Sequence, residues 1–147
     1  TTPGLRRLEK QAVADGGGTN HRLDLASGIL IKENHMAAAG GLVAIVARLG
    51  PRIAECEIEV AGIDELRMLE HSPPARVMLD NFSPREIREA LGELERWSIR
   101  PEIEVSGGIT LENIREFALP GIDFISVGAL TTAAKSLDLS MLMEVER

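Results

Sequence analysis

Residues Cys56-Glu57-Ile58-Glu59-Val60, then Ile63 to Glu70, then Ala75-Arg76-Val77-Met78-Leu79 read as strand, helix, strand. Two short apolar runs flank a helix begun near Asp64. Working outward, the same alternation continues in both directions. Upstream, Ile29–Lys32 reads as a short buried strand and Ala37–Leu49 as an aliphatic helix. Downstream come a helix over Ser83–Trp97, a strand over Pro101–Val105, a helix over Thr110–Leu119 capped by Thr110, and a strand over Asp123–Val127. Ser83, Pro84 and Glu86 form a capping-box pattern at one helix start. A last helix is expected over Leu139–Glu146. A first helix is expected with Thr2 as N-cap and Pro3 at its first position; Leu5, Leu8, Ala12 and Val13 form its apolar stripe, and Asp15 with Gly16–Gly18 ends it. Apolar strands alternating with helices imply a parallel sheet covered by helices. Five strands are too few for a closed eight-stranded barrel, which takes about 250 residues. The expectation is an incomplete, open parallel α/β barrel, with a doubly wound open sheet as the runner-up.

The chain has 147 residues, 44% of them hydrophobic, enough for one domain with a real core over residues 1–147. A net charge of −7 argues against a nucleic-acid partner. The single Cys56 excludes an internal disulfide and fits a reducing cytoplasm, with the thiol read as a small core residue. No apolar run reaches membrane-spanning length, and no signal peptide is visible. His71 reads as a turn residue and Trp97 as packing at a helix end.

In this architecture ligands bind at the carboxyl ends of the strands. Those ends read Lys32 followed by Glu33-Asn34-His35, then Glu59, then Asp80-Asn81, then Ser106-Gly107-Gly108, then Gly128-Ala129. Just before the first of them, Gly16-Gly17-Gly18-Thr19-Asn20-His21-Arg22 places a glycine loop beside two donor side chains. Arg22 and Lys32 suit an anion. Glu59 is read as facing the mouth, with Glu57 on the opposite face. The alternative for each carboxylate is a structural ion pair or a turn. The small-residue turns can present backbone N–H groups to a phosphate.

Gly16-Gly17-Gly18-Thr19-Asn20-His21-Arg22-Leu23-Asp24-Leu25 with Ile29-Leu30-Ile31-Lys32-Glu33-Asn34-His35 resembles the quinolinate phosphoribosyltransferases, the carboxylating nicotinate-nucleotide pyrophosphorylases. Thr1–Arg6, Leu79–Phe82, Ser106–Ile109 and Ser126–Thr131 fit the same family in the same order. The resemblance implies a partial α/β barrel whose N-terminal elements and N-terminal domain lie upstream of this stretch. It implies phosphoribosyl transfer from phosphoribosyl pyrophosphate to quinolinate with loss of carbon dioxide, in NAD biosynthesis. His21, Arg22 and Lys32 would contact quinolinate. Glu59 and Asp80 would hold the ribose and Mg²⁺, directly or through water, and would act with Lys32 as the catalytic set. Ser106, Gly107, Gly108, Gly128 and Ala129 would bind the 5′-phosphate. A homodimer, or a multiple of dimers, is implied.

Two departures qualify that picture. The family commonly has His after the Thr of its Ala-Leu-Thr segment, where this chain has Thr132. The family's basic residues from upstream and from a partner subunit lie outside this sequence, so the 147 residues alone are expected to be inactive. Three other readings compete: a relative of the molybdenum-locus pyrophosphorylase type, a Schiff-base lyase using Lys32, and a non-catalytic anion-binding fragment.

Overall fold

The computed structural model describes residues 1–24 and 26–144. Five strands, β1 Ile29–Ile31, β2 Cys56–Val60, β3 Arg76–Asp80, β4 Glu102–Ser106 and β5 Phe124–Ile125, form one parallel sheet in the order β1-β2-β3-β4-β5. Sequential order throughout is what an arc of α/β barrel requires. A doubly wound sheet would reverse direction at a switch point, so the runner-up topology is excluded.

Parallel strands bury a face only where helices cover it. Here Cys56, Ile58, Val60, Val77, Leu79, Ile103 and Val105 are fully buried on one face, in a common cluster with Leu66, Ile87, Ala90 and Leu94. These last four lie on helices α4 (Ile63–Met68) and α5 (Pro84–Leu94). Cys56 is therefore the core residue expected, and Trp97 is buried in the same cluster. The other sheet face is different. In register across it run Glu57, Arg76 and Glu102, then Glu59, Met78, Glu104 and Phe124.

Residues two apart share a face of a strand. Glu57 therefore lies beside Glu59 rather than opposite it, as the alternating burial of β2 shows. This corrects the sequence reading.

Other boundaries move for identifiable reasons. Thr2-Pro3-Gly4-Leu5 is a β-turn, closed by the Leu5 N–H on the Thr2 carbonyl at 3.0 Å, with Gly4 at φ 79°. Proline and glycine occupy the two positions such a turn prefers, so helix α1 begins at Arg6 and runs to Asp15. The expected 37–49 helix is two helices, α2 (Glu33–Ala39) and α3 (Leu42–Leu49), broken at Gly40-Gly41 and followed by a 3₁₀ turn over Gly50–Glu55. The expected Thr110 helix shrinks to α6, Ile114–Phe117. The Thr110 N–H donates to Asn113 Oδ1 at 2.8 Å, and Asn113 Nδ2 donates to the Gly108 carbonyl at 3.1 Å. Those bonds tie residues 108–113 into a turn. An unexpected short helix, α7, covers Ala129–Thr132. Residues 139–144 are not helical, and the rest of the expected last helix lies outside the described residues. Among the described residues no single helix is long and apolar enough to cross a membrane.

The Ser83 capping box forms as expected. Ser83 N–H donates to Glu86 Oε2 at 2.8 Å, and Glu86 N–H donates to Ser83 Oγ at 3.3 Å. Replacing Ser83 by Ala should lower stability by about 1 kcal/mol, read as a lower urea midpoint with an unchanged slope.

Candidate active site

A cavity of about 740 Å³ opens at the carboxyl-end rim of the sheet. Eight of the expected site residues line it: His21, Arg22, Lys32, Ser106, Gly107, Gly108, Gly128 and Ala129. Glu59 and Asp80 stand at its margin. Glu59 is ion-paired with Lys32, and Asp80 pairs in register with Ser106.

The wall that carries the donor side chains is built from the loop after α1. Gly16, Gly17 and Gly18 lie outside the cavity lining and terminate α1 instead. Their N–H groups donate to the carbonyls of Ala12, Ala14 and Val13 at 2.8–3.0 Å. Gly18 packs so closely that a Cβ there would fall 2.9 Å from Val13 Cγ1. The loop is strapped back to α1 by Lys10 Nζ, which donates to the His21 carbonyl at 3.0 Å, and by Asn20 Nδ2, which donates to the Lys10 carbonyl at 2.8 Å. Lys10, absent from the sequence reading, also lines the cavity. Among the described residues Arg22 carries no ion pair, whereas Lys32 is paired with Glu59. His35, which the sequence sets beside Lys32, accepts the Lys32 backbone N–H on Nδ1 at 3.0 Å and so shapes the start of α2.

The opposite wall joins the ends of β3 and β4. The Asn81 N–H donates to the Ser106 carbonyl at 2.9 Å, and Asn81 Nδ2 donates to Asp80 Oδ2 at 2.7 Å. Gly107 has φ 96°, and a Cβ on it would sit 2.2 Å from Asn81 Oδ1 and 2.8 Å from Asn81 N. Only glycine fits there. Among the described residues the N–H groups of Gly107 and Gly108 donate to no protein group, which leaves them for a ligand's oxygens. Thr132 Oγ1 donates to the Gly128 carbonyl at 3.0 Å. It lines the cavity with its hydroxyl engaged in α7.

Beneath the mouth lies a charged cluster that sequence reading missed. His21 Nε2 lies 3.2 Å from Glu57 Oε2 and 3.6 Å from Glu104 Oε1. Glu104 is 1% exposed, the one fully buried charged residue among those described. Arg76 binds Glu104 at 3.0 Å and Glu102 at 2.8 Å, and stacks 4.0 Å from the centre of the Phe124 ring. Ser126 Oγ donates to the other Glu104 oxygen. Burial, and then repulsion from Glu104, push the Glu57 carboxyl above its usual range, against the opposing pull of His21 and Arg76. Donor atoms of His21, Glu57 and Glu104 lie within 4.8 Å of one another, the spacing of a metal site. Arg76 stands beside that set, on the other oxygen of Glu104. Of the two carboxylates expected to hold Mg²⁺, Glu59 has one oxygen on Lys32, and Asp80 Oδ1 has no protein partner among the described residues.

Two outcomes follow. Gly107→Ala should cost about 2–3 kcal/mol by forcing a left-handed residue against Asn81, measured by urea unfolding. For Glu57, a folded-state value above the unfolded one means the folded chain holds the extra proton between the two. Its charge therefore penalises folding at neutral pH and not below about pH 4. Glu57→Gln should raise the urea midpoint at pH 7 and lose that gain by pH 4. A gain that does not change with pH would contradict the assignment.

Residues 1–142 match the family model described as quinolinate phosphoribosyl transferase, C-terminal domain. A probable carboxylating nicotinate-nucleotide pyrophosphorylase of Methanocaldococcus jannaschii is 45% identical over 148 residues, covering 96% of this chain and 52% of that protein. The human nicotinate-nucleotide pyrophosphorylase is 38% identical over 144 residues, covering 96% and 48%. The solved structure of the Francisella tularensis nicotinate-nucleotide pyrophosphorylase superposes with a TM-score of 0.82 at 42% identity, covering 95% of this chain and 50% of that one. The chain thus spans about half the length of the curated relatives it matches. With the parallel arc, the rim cavity and this match along nearly its whole length, the chain belongs to the quinolinate phosphoribosyltransferase C-terminal domain family.

Proposed function

We propose that this domain carries the transfer site of a carboxylating nicotinate-nucleotide pyrophosphorylase. The reaction moves the phosphoribosyl group of phosphoribosyl pyrophosphate to the ring nitrogen of quinolinate. Pyrophosphate and carbon dioxide leave, and nicotinate mononucleotide forms for NAD biosynthesis. The observation that carries this reading is one cavity with Arg22 and Lys32 on one wall and the free Gly107 and Gly108 amides on the other. A dicarboxylate needs fixed cations, and a phosphoribosyl group needs a phosphate cradle and acceptors for its hydroxyls.

The roles follow from chemistry. Arg22 offers a planar fork to a carboxylate, and Lys32, held by Glu59, offers a fixed ammonium. Ser106, Gly107, Gly108, Gly128 and Ala129 take the 5′-phosphate. Glu59 and Asp80 accept hydrogen bonds from the ribose hydroxyls. They also face the anomeric carbon, where positive charge develops as the bond to pyrophosphate breaks. A carboxylate placed there stabilises that charge as it appears, which lowers the barrier. Mg²⁺, held by Glu59 and Asp80, would neutralise the departing pyrophosphate. A cytoplasmic enzyme assembled as a homodimer or a multiple of dimers completes the proposal, and the buried thiol of Cys56 is compatible with that compartment.

Calorimetric titration of the full-length protein tests the division of labour. Lys32→Ala should weaken quinolinate binding by about tenfold or more, the worth of a charged hydrogen bond. Asp80→Ala should weaken chiefly phosphoribosyl pyrophosphate with Mg²⁺. Binding of the phosphorylated ligand without quinolinate would keep the phosphate site and move the substrate to another member of the wider family.

A further inference from the structure

We propose that Arg6 and Lys10 of α1 are positioning residues for the dicarboxylate end of the site: they clasp the loop on both sides of Arg22 and so set where its guanidinium stands. The inference rests on the proposed function for the ligand that Arg22 meets, quinolinate.

The loop needs an outside hold. Residues 19–23 lie between α1 and β1, and among the described residues none of them takes part in a backbone–backbone hydrogen bond. A segment without a ladder of its own opens readily unless side chains tie it down. Here the ties come from one face of α1. Arg6 and Lys10 are four residues apart, so both project toward the same side of the helix. Arg6 Nη1 donates to the Leu23 carbonyl at 2.9 Å, and Lys10 Nζ donates to the His21 carbonyl at 3.0 Å. These are the carbonyls of the two residues that flank Arg22. Asn20 Nδ2 returns a bond to the Lys10 carbonyl at 2.8 Å, so Lys10 holds two successive loop residues, one with its backbone and one with its ammonium. The His21 ring has a separate anchor on the sheet, with Nε2 3.2 Å from Glu57, and remains part of the cavity wall beside Arg22.

The two clasping residues differ in one respect that separates holding from touching. Lys10 lines the cavity, whereas Arg6 lies behind the loop and is not among the lining residues. An effect of Arg6 on a ligand in the cavity must therefore travel through the loop. Both side chains donate from a charged group to a neutral carbonyl, a stronger bond than one between neutral partners. Neither forms an ion pair with a carboxylate among the described residues, so no acid competes with the loop for these donors.

Calorimetric titration of the full-length protein with quinolinate, and separately with phosphoribosyl pyrophosphate and Mg²⁺, tests the clasp. Arg6→Met should weaken quinolinate by about threefold to tenfold, what one such hydrogen bond contributes, and leave phosphoribosyl pyrophosphate within about twofold. In an Arg22→Ala background the same change should cost less than about twofold, because it acts through Arg22. Lys10→Met should show the same selectivity for quinolinate, and Lys10→Arg, which still offers a donor to the carbonyl, should restore binding to within about threefold of wild type. Equal weakening of both ligands, or an Arg6→Met loss as large without Arg22 as with it, would overturn the proposal. Should a Met variant fail to fold, Asn20→Ala breaks the return bond to Lys10 and must show the same selectivity. Amide hydrogen exchange reads the clasp with no ligand present. The Arg22 N–H should exchange about tenfold faster in Lys10→Met than in wild type, and an unchanged rate would count against the clasp. If the wild-type protein binds no quinolinate, the substrate assignment falls, and the exchange rates still decide whether α1 holds the loop.

Discussion

Arg76 lies across the charged face of the sheet, and the rest of that face depends on it. Its guanidinium joins Glu102 to Glu104 and rests on the Phe124 ring, and Glu57 sits next to it in register on β2. Without that one cation on β3, the carboxylates of Glu57 on β2 and of Glu102 and Glu104 on β4 would face one another in a half-buried space. Buried ion pairs rarely add much net stability. Their effect here is to permit acidic residues on a face that an ordinary parallel sheet fills with aliphatics. Of these, Glu57 meets the His21 ring at 3.2 Å, on the loop that also carries Arg22.

The sheet has two faces with different tasks. The helix-covered face is dense and apolar, and it supplies the cohesion. The concave face carries a Glu57 carboxyl whose protonation is distorted by burial and by Glu104. Proteins retain such locally unfavourable groups mainly where a site needs them. The rim repeats the theme on a smaller scale. Gly107 and Asn81, both with positive φ, interlock so that β3 and β4 end at the same level, the Asn81 amide on the Ser106 carbonyl and the Gly107 and Gly108 amides left for a ligand.

Much of this was legible in the sequence, and the failures have physical causes. The five strands lie within a residue or two of where apolar runs placed them, because burial writes itself into composition. The Ser83 cap was legible because its chemistry is local. The rim residues were legible because strand ends in this architecture converge. Glu57 was missed through parity, since residues two apart along a strand must share a face. Glu104 was missed because a glutamate between Ile103 and Val105 has no local sign of its partners, Arg76 and Ser126, 28 and 22 residues away. Lys10 was missed because a helix-surface lysine looks the same whether it meets water or a carbonyl eleven residues on. The short α6 was misjudged because Asn113 competes for backbone groups through its side chain.

The sequential order of the strands has a consequence for how the chain reaches this state. Each of β2 to β5 pairs with the strand that precedes it in the sequence. No strand must wait for a partner from a distant part of the chain, so the loop closed at each pairing stays short. As the chain leaves the ribosome, every new strand and its helix meets an edge already formed upstream. The arc can therefore grow by accretion from its amino-terminal end. The rim matures late, since its phosphate-facing wall is completed by β4, β5 and α7, after the donor wall beside β1 is already in place.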